Sequence, residues 1–106
     1  MKLTIKNNLE IENFELEYGA ITLDIYLSQF NRDLINDITT CYSKYGGFSR
    51  SLSIRIIWAC CVTKKSKFMS FRDFIDCLDY RINDFAENWG KDFAKWLIPI
   101  IEKDIQ

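Results

Sequence analysis

The chain has no histidine, one proline and four glycines in 106 residues. Without histidine, zinc and haem sites lose their commonest ligand and Cys-His catalysis loses its base. No Gly-rich phosphate loop is present, and neither GxSxG nor HExxH occurs. No linker, low-complexity tract or internal repeat interrupts the chain, which reads as one domain over residues 1–106. No apolar run approaches the roughly 18 residues of a membrane span, and the opening "MKLTIKNNLEIENF" lacks the apolar centre of a signal peptide. A cytoplasmic protein with no membrane partner is the expectation. Excess charge is missing too. Fourteen basic against fifteen acidic residues leave a net charge of −1, too little to steer the whole molecule onto nucleic acid or an anionic membrane.

What the chain does have is apolar and aromatic material, 48% and 15% of its residues, enough for a real core in a domain of this size. The first eighteen residues alternate as a strand does: Leu3 and Ile5, Leu9 and Ile11, then Phe14, Leu16 and Tyr18. The apolar phase moves from odd to even numbers at Glu12 and Asn13, which calls for a turn or a bulge. Residues 1–18 therefore read as a β-hairpin or a small meander, with Glu10, Glu12, Glu15 and Glu17 on its wet face.

After Gly19 the period becomes helical, and residues 20–106 read as about five helices. Leu23, Tyr26, Leu27 and Phe30 fall at i, i+3, i+4 and i+7 and predict a first helix over residues 20–30. Asn31 is the expected cap of a second, striped by Leu34, Ile35, Ile38, Cys41, Tyr42 and Tyr45 and stopped by Gly46 and Gly47. The stretch "SIRIIWACCVTKKSK" is apolar on nearly every side before its lysines, as a buried central helix is. "SFRD" is close to a capping box and opens a fourth helix with Phe71, Phe74, Ile75 and Leu78 inward. Phe85, Trp89, Phe93, Trp96, Leu97 and Ile100 keep helical phase across Gly90, predicting one long last helix kinked at Pro99. The fold class expected is α+β, mainly α.

Four features invite chemistry. Cys60 and Cys61 are adjacent, so on a helix their side chains diverge by about 100 degrees and cannot chelate as a CxxC pair does. All four cysteines, Cys41 and Cys77 included, are expected to stay reduced, and Cys60 and Cys61 read as small core hydrophobes, so no metal, cofactor or catalytic site is expected. Asp73, Asp76 and Asp79, at i, i+3 and i+6 between apolar positions, read as a solvated helix edge. Arg55, Lys64, Lys65, Lys67 and Arg72 form a basic run without an acidic residue between 51 and 72. Dipole capping at a helix C-terminus and ion pairing outrank nucleic-acid binding as its purpose. The aromatic stripe Phe85, Trp89, Phe93, Trp96 divides between core and an oligomer or partner interface.

The order of elements, an opening "MKLTI" strand, a second strand closing in "ELEYG", a helix, an apolar central helix ending in lysines, then "MSFRDFIDCLD" and an amphipathic C-terminal helix, resembles the small tail assembly chaperones of long-tailed bacteriophages and prophages. The resemblance spans nearly the whole chain. It implies a non-enzymatic protein of the bacterial host cytoplasm that forms homo-oligomers and coats the tape measure protein while tail tube proteins are recruited. The chain departs from the family pattern in the longer, glycine-free first turn "KNNLEIEN" and in its four cysteines. The competing expectation is a small phage or mobile-element inhibitor that binds and blocks a host enzyme.

Overall fold

The computed structural model describes residues 2–7, 10–77 and 90–105. Strands β1 (Lys2–Asn7) and β2 (Glu10–Glu15) pair antiparallel. Helices α1 (Ala20–Phe30), α2 (Leu34–Tyr45), α3 (Arg50–Lys64), α4 (Phe71–Cys77) and α5 (Gly90–Ile105) follow.

The α+β expectation is corrected: the fold is mostly α. Apart from Leu16, every described core side chain comes from a helix. The two strands form one ribbon, and a two-stranded ribbon does not make a layer of a domain. Its register also explains the phase change without a bulge. Leu3 pairs with Phe14, so odd positions of β1 face even positions of β2. The side chains of Glu10 and Glu12, expected on the wet face, lie outside the described residues. Glu15 and Glu17 are exposed, and Leu16 between them is 4% exposed.

The helix ends show which local signals won. Gly19 is extended at the start of α1, and its N–H donates to the Thr22 hydroxyl at 3.0 Å. Asn31 does not cap α2. It closes α1 in the left-handed region, φ 54°, donating its N–H to the Leu27 carbonyl, a conformation asparagine tolerates better than most residues. Asp33 caps α2 instead, its Oδ1 accepting from the Asn36 N–H at 2.7 Å. Gly46, φ 70°, ends α2, and the Ser49 hydroxyl accepts from the Leu52 N–H to start α3. Ser70 does the same for Asp73 at the head of α4.

Helix α3 is the hub: α1, α2, α4, α5 and β2 all pack on it. Nine of its fifteen residues are buried, so it has no wet face beyond Arg50, Ser51, Arg55 and its C-terminal turn. Tyr26 from α1, Leu34 and Ile38 from α2, Phe74 from α4, and Phe93, Leu97 and Ile101 from α5 complete the core. Each such side chain contributes about 1.5–3 kcal/mol of burial. The α2 stripe leaves the core after Cys41, since Tyr42 and Tyr45 are exposed. On α5 the buried row runs Phe93, Leu97, Ile101 at four-residue spacing, and Ile100 is only half-buried. Pro99 lies inside α5 on an exposed position, where water can reach the carbonyl that loses its helical donor. Leu78, Asp79, Phe85 and Trp89 lie outside the described residues.

Candidate functional site

Three helices meet at a buried phenol. Tyr26 of α1 is fully buried, and its hydroxyl donates to Asp37 Oδ2 of α2 at 2.6 Å. Arg32, in the turn between those helices, grips the same carboxylate through Nε and Nη2 at 2.8–3.1 Å. Arg55 of α3 donates from Nε to the Tyr26 hydroxyl at 3.1 Å and from Nη1 to the Ser51 hydroxyl at 2.8 Å. The Arg32 guanidinium holds the Asp37 carboxyl below the usual carboxylate range, while burial and then the Asp37 hydrogen bond push the Tyr26 phenol up to about 12. Tyr26 therefore stays protonated at neutral pH. It acts as a fixed donor to Asp37 and a fixed acceptor for Arg55, not as a base.

Beside this network runs an open groove of about 490 Å³. Phe30, Ile54, Phe71 and Ile75 supply its apolar surface and Arg50, Ser51 and Arg55 its polar groups. On the apolar side the aromatics meet edge-on. Phe30 and Phe71 are 4.8 Å apart at 84°, and Trp58 lies behind them at 5.9 and 5.6 Å. The Trp58 indole N–H donates to the Met69 carbonyl at 3.0 Å, tying the loop before α4 to α3. The Arg55 guanidinium carbon stands 5.9 Å from the Phe30 ring centre. The groove's size is that of a ligand site, and its mix of apolar walls with a few aimed polar groups is that of a binding surface.

The basic run divides. Lys64 ends α3, Lys65 and Lys67 lie in the following loop, Arg72 is in the first turn of α4, and all four are exposed. Arg55 is half-buried and nine residues before Lys64, roughly 13 Å along the axis at about 1.5 Å per residue. It belongs to the groove and not to the lysines. Of the aromatic stripe, Phe93 is fully buried and Trp96 is half-buried against it at 5.9 Å. Cys60 and Cys61 are fully buried, and burial pushes both thiols up, Cys61 to about 12. Among the described residues Cys41, Cys60 and Cys61 are free, and no three metal-ligating side chains gather. No described helix is long and apolar enough to cross a membrane.

Sequence reasoning missed Tyr26 and Asp37 as polar partners. Tyr26 fits an apolar stripe, and the local signal for Asp37 was its place in the first turn of α2, five residues after Arg32. No family model, curated protein or solved structure matches this chain.

Proposed function

We propose that the protein is a non-enzymatic binding domain that works through contacts with other proteins. The groove beside Arg55 supports this most directly, because its walls are preset by aromatic packing and its polar groups are aimed by hydrogen bonds without a nucleophile–base pair among them. Among the described residues, Ile21 and Leu27 on α1 and Tyr42 and Tyr45 on α2 are large apolar side chains that are also exposed.

The biological setting we propose is tail assembly in a bacteriophage or prophage, in the host cytoplasm, with the protein oligomerising along the tape measure protein while tail tube subunits arrive. The order of elements supports it: ribbon, helix, apolar central helix ending in lysines, Ser70-capped helix, amphipathic α5. Repeated weak contacts along a long partner add through effective concentration, so no single contact need be strong. The test is to look for a tape measure gene beside this one and, where it is found, to co-express the two proteins, followed by affinity capture and light scattering. Co-elution as an oligomer supports the reading. A wild type that stays monomeric and alone sinks it, and capture of an inactive host enzyme in its place would favour the inhibitor reading.

A further inference from the structure

Arg55 is half-buried, and among the described residues its hydrogen-bond and ring contacts are neutral: the Tyr26 phenol, the Ser51 hydroxyl and the face of Phe30. The nearby carboxylate, Asp37, already receives the Arg32 fork and the Tyr26 hydroxyl. It attracts Arg55 through the phenol, without contact. A guanidinium has five N–H donors, and these two hydrogen bonds use two of them. A guanidinium with neutral contacts and spare donors can still gain charge-assisted hydrogen bonds from an arriving anion. Because Tyr26 and Ser51 already fix the guanidinium, little side-chain freedom remains to be lost on binding.

We propose that the groove takes an acidic, apolar segment of a partner protein, seating a Leu or Phe side chain against Ile54, Phe71 and Ile75 and a neighbouring Asp or Glu carboxylate on Arg55. The charge complementarity is local and rests on Arg55: among the described residues that line the groove there is no carboxylate. A nucleic acid fits less well, since its charge repeats along a backbone while the groove's polar groups are confined to the first two turns of α3. This inference rests on reading the groove as a protein-contact surface, and not on the tail-assembly setting.

The probe is a blocked tetrapeptide, Leu-Phe-Asp-Glu, set against its uncharged counterpart Leu-Phe-Asn-Gln, each titrated into the full-length nitrogen-15-labelled protein. Amide shifts should concentrate at residues 50–55 and 71–75, and the acidic peptide should bind about tenfold more tightly, with the difference shrinking as salt rises. In Arg55→Gln that difference should vanish. Arg55→Lys, which keeps the charge but loses the fork, should retain part of it and serves if the glutamine variant fails to fold. Equal affinity of the two peptides for wild type overturns anion recognition while leaving an apolar contact surface. No shift with either peptide at millimolar concentration overturns both readings. Groove shifts that follow protein concentration alone assign the surface to a second copy and also overturn the proposal.

Discussion

Tyr26 and Asp37, eleven positions apart on successive helices, are joined by a 2.6 Å hydrogen bond between two buried side chains. The bond fixes the angle at which α1 and α2 lie on α3, because Arg55 of α3 closes the third side by donating to the same phenol. Removing the hydroxyl in Tyr26→Phe leaves a buried carboxylate oxygen and a guanidinium N–H without that partner. Urea unfolding should show a loss of about 1–3 kcal/mol. An unchanged midpoint would mean that water replaces the hydroxyl at no cost.

The same network sets a pH dependence. The folded state holds the Asp37 carboxyl below its ordinary value, chiefly through Arg32. The unfolded chain therefore takes up the proton first as pH falls. The stability contributed by Asp37 is present above the ordinary carboxylate range and is lost as pH drops through that range toward the folded value. Asp37→Asn should be less stable than wild type at neutral pH, and the gap should narrow in acid. Parallel stability curves for the two proteins from neutral to acid pH would contradict the assignment.

Leu16 anchors the segment that follows the ribbon. Leu16→Asp places an unpaired carboxylate in a site only 4% exposed and should cost several kcal/mol, about 3 or more, whereas Glu17→Lys on the exposed neighbour should stay within about 0.5 kcal/mol. Thermal melts of the pair measure this, and equal melting temperatures would mean that the segment does not dock on α3.

The last helix separates core from contact. Phe93→Ala empties a fully buried site and should destabilise by about 3–5 kcal/mol without a specific effect on size. Trp96 is half-buried beside it, so Trp96→Ala should unfold less and, if α5 carries the association proposed above, should shift light scattering toward monomer. Loss of stability alone in both variants would confine the stripe to the core.

Thiol reactivity should follow burial. Cys41 is half-buried, with its sulfur within hydrogen-bonding distance of the Gly47 carbonyl and the Ser49 N–H, whereas Cys60 and Cys61 are enclosed and their thiols resist ionisation. Peptide mapping after brief alkylation of native protein should find Cys41 modified well before Cys60 or Cys61. Early labelling of Cys61 would show that α3 opens more readily than its place at the centre implies.

Local pattern was enough for α1 over residues 20–30, for α3 as the central helix, for Gly46 as the stop of α2 and for Ser70 as the cap of α4. Those features depend on periodicity and on neighbours within one turn, which a linear string records directly. The wrong assignments have a different physics. Asn31 and Asp33 are both good caps, and only the packed geometry of two helices decided that Asn31 would take the left-handed turn and Asp33 the start of α2. An α+β fold was inferred from strand alternation alone, but the class depends on which side chains meet in the core, and the described ones are helical apart from Leu16. Asp37 drew no reading from its neighbours, because a carboxylate is buried only where partners from elsewhere compensate it, and Tyr26 lies eleven positions away while Arg55 adds its attraction from α3. Arg55 was counted with the lysines by sequence proximity, but the length of α3 and the hydroxyls of Tyr26 and Ser51 place it in the groove. The sequence by itself determined where α1 and α3 form and that α3 is central. Only the tertiary structure decided which polar groups share a site, because that depends on long-range contacts that no short-range pattern encodes.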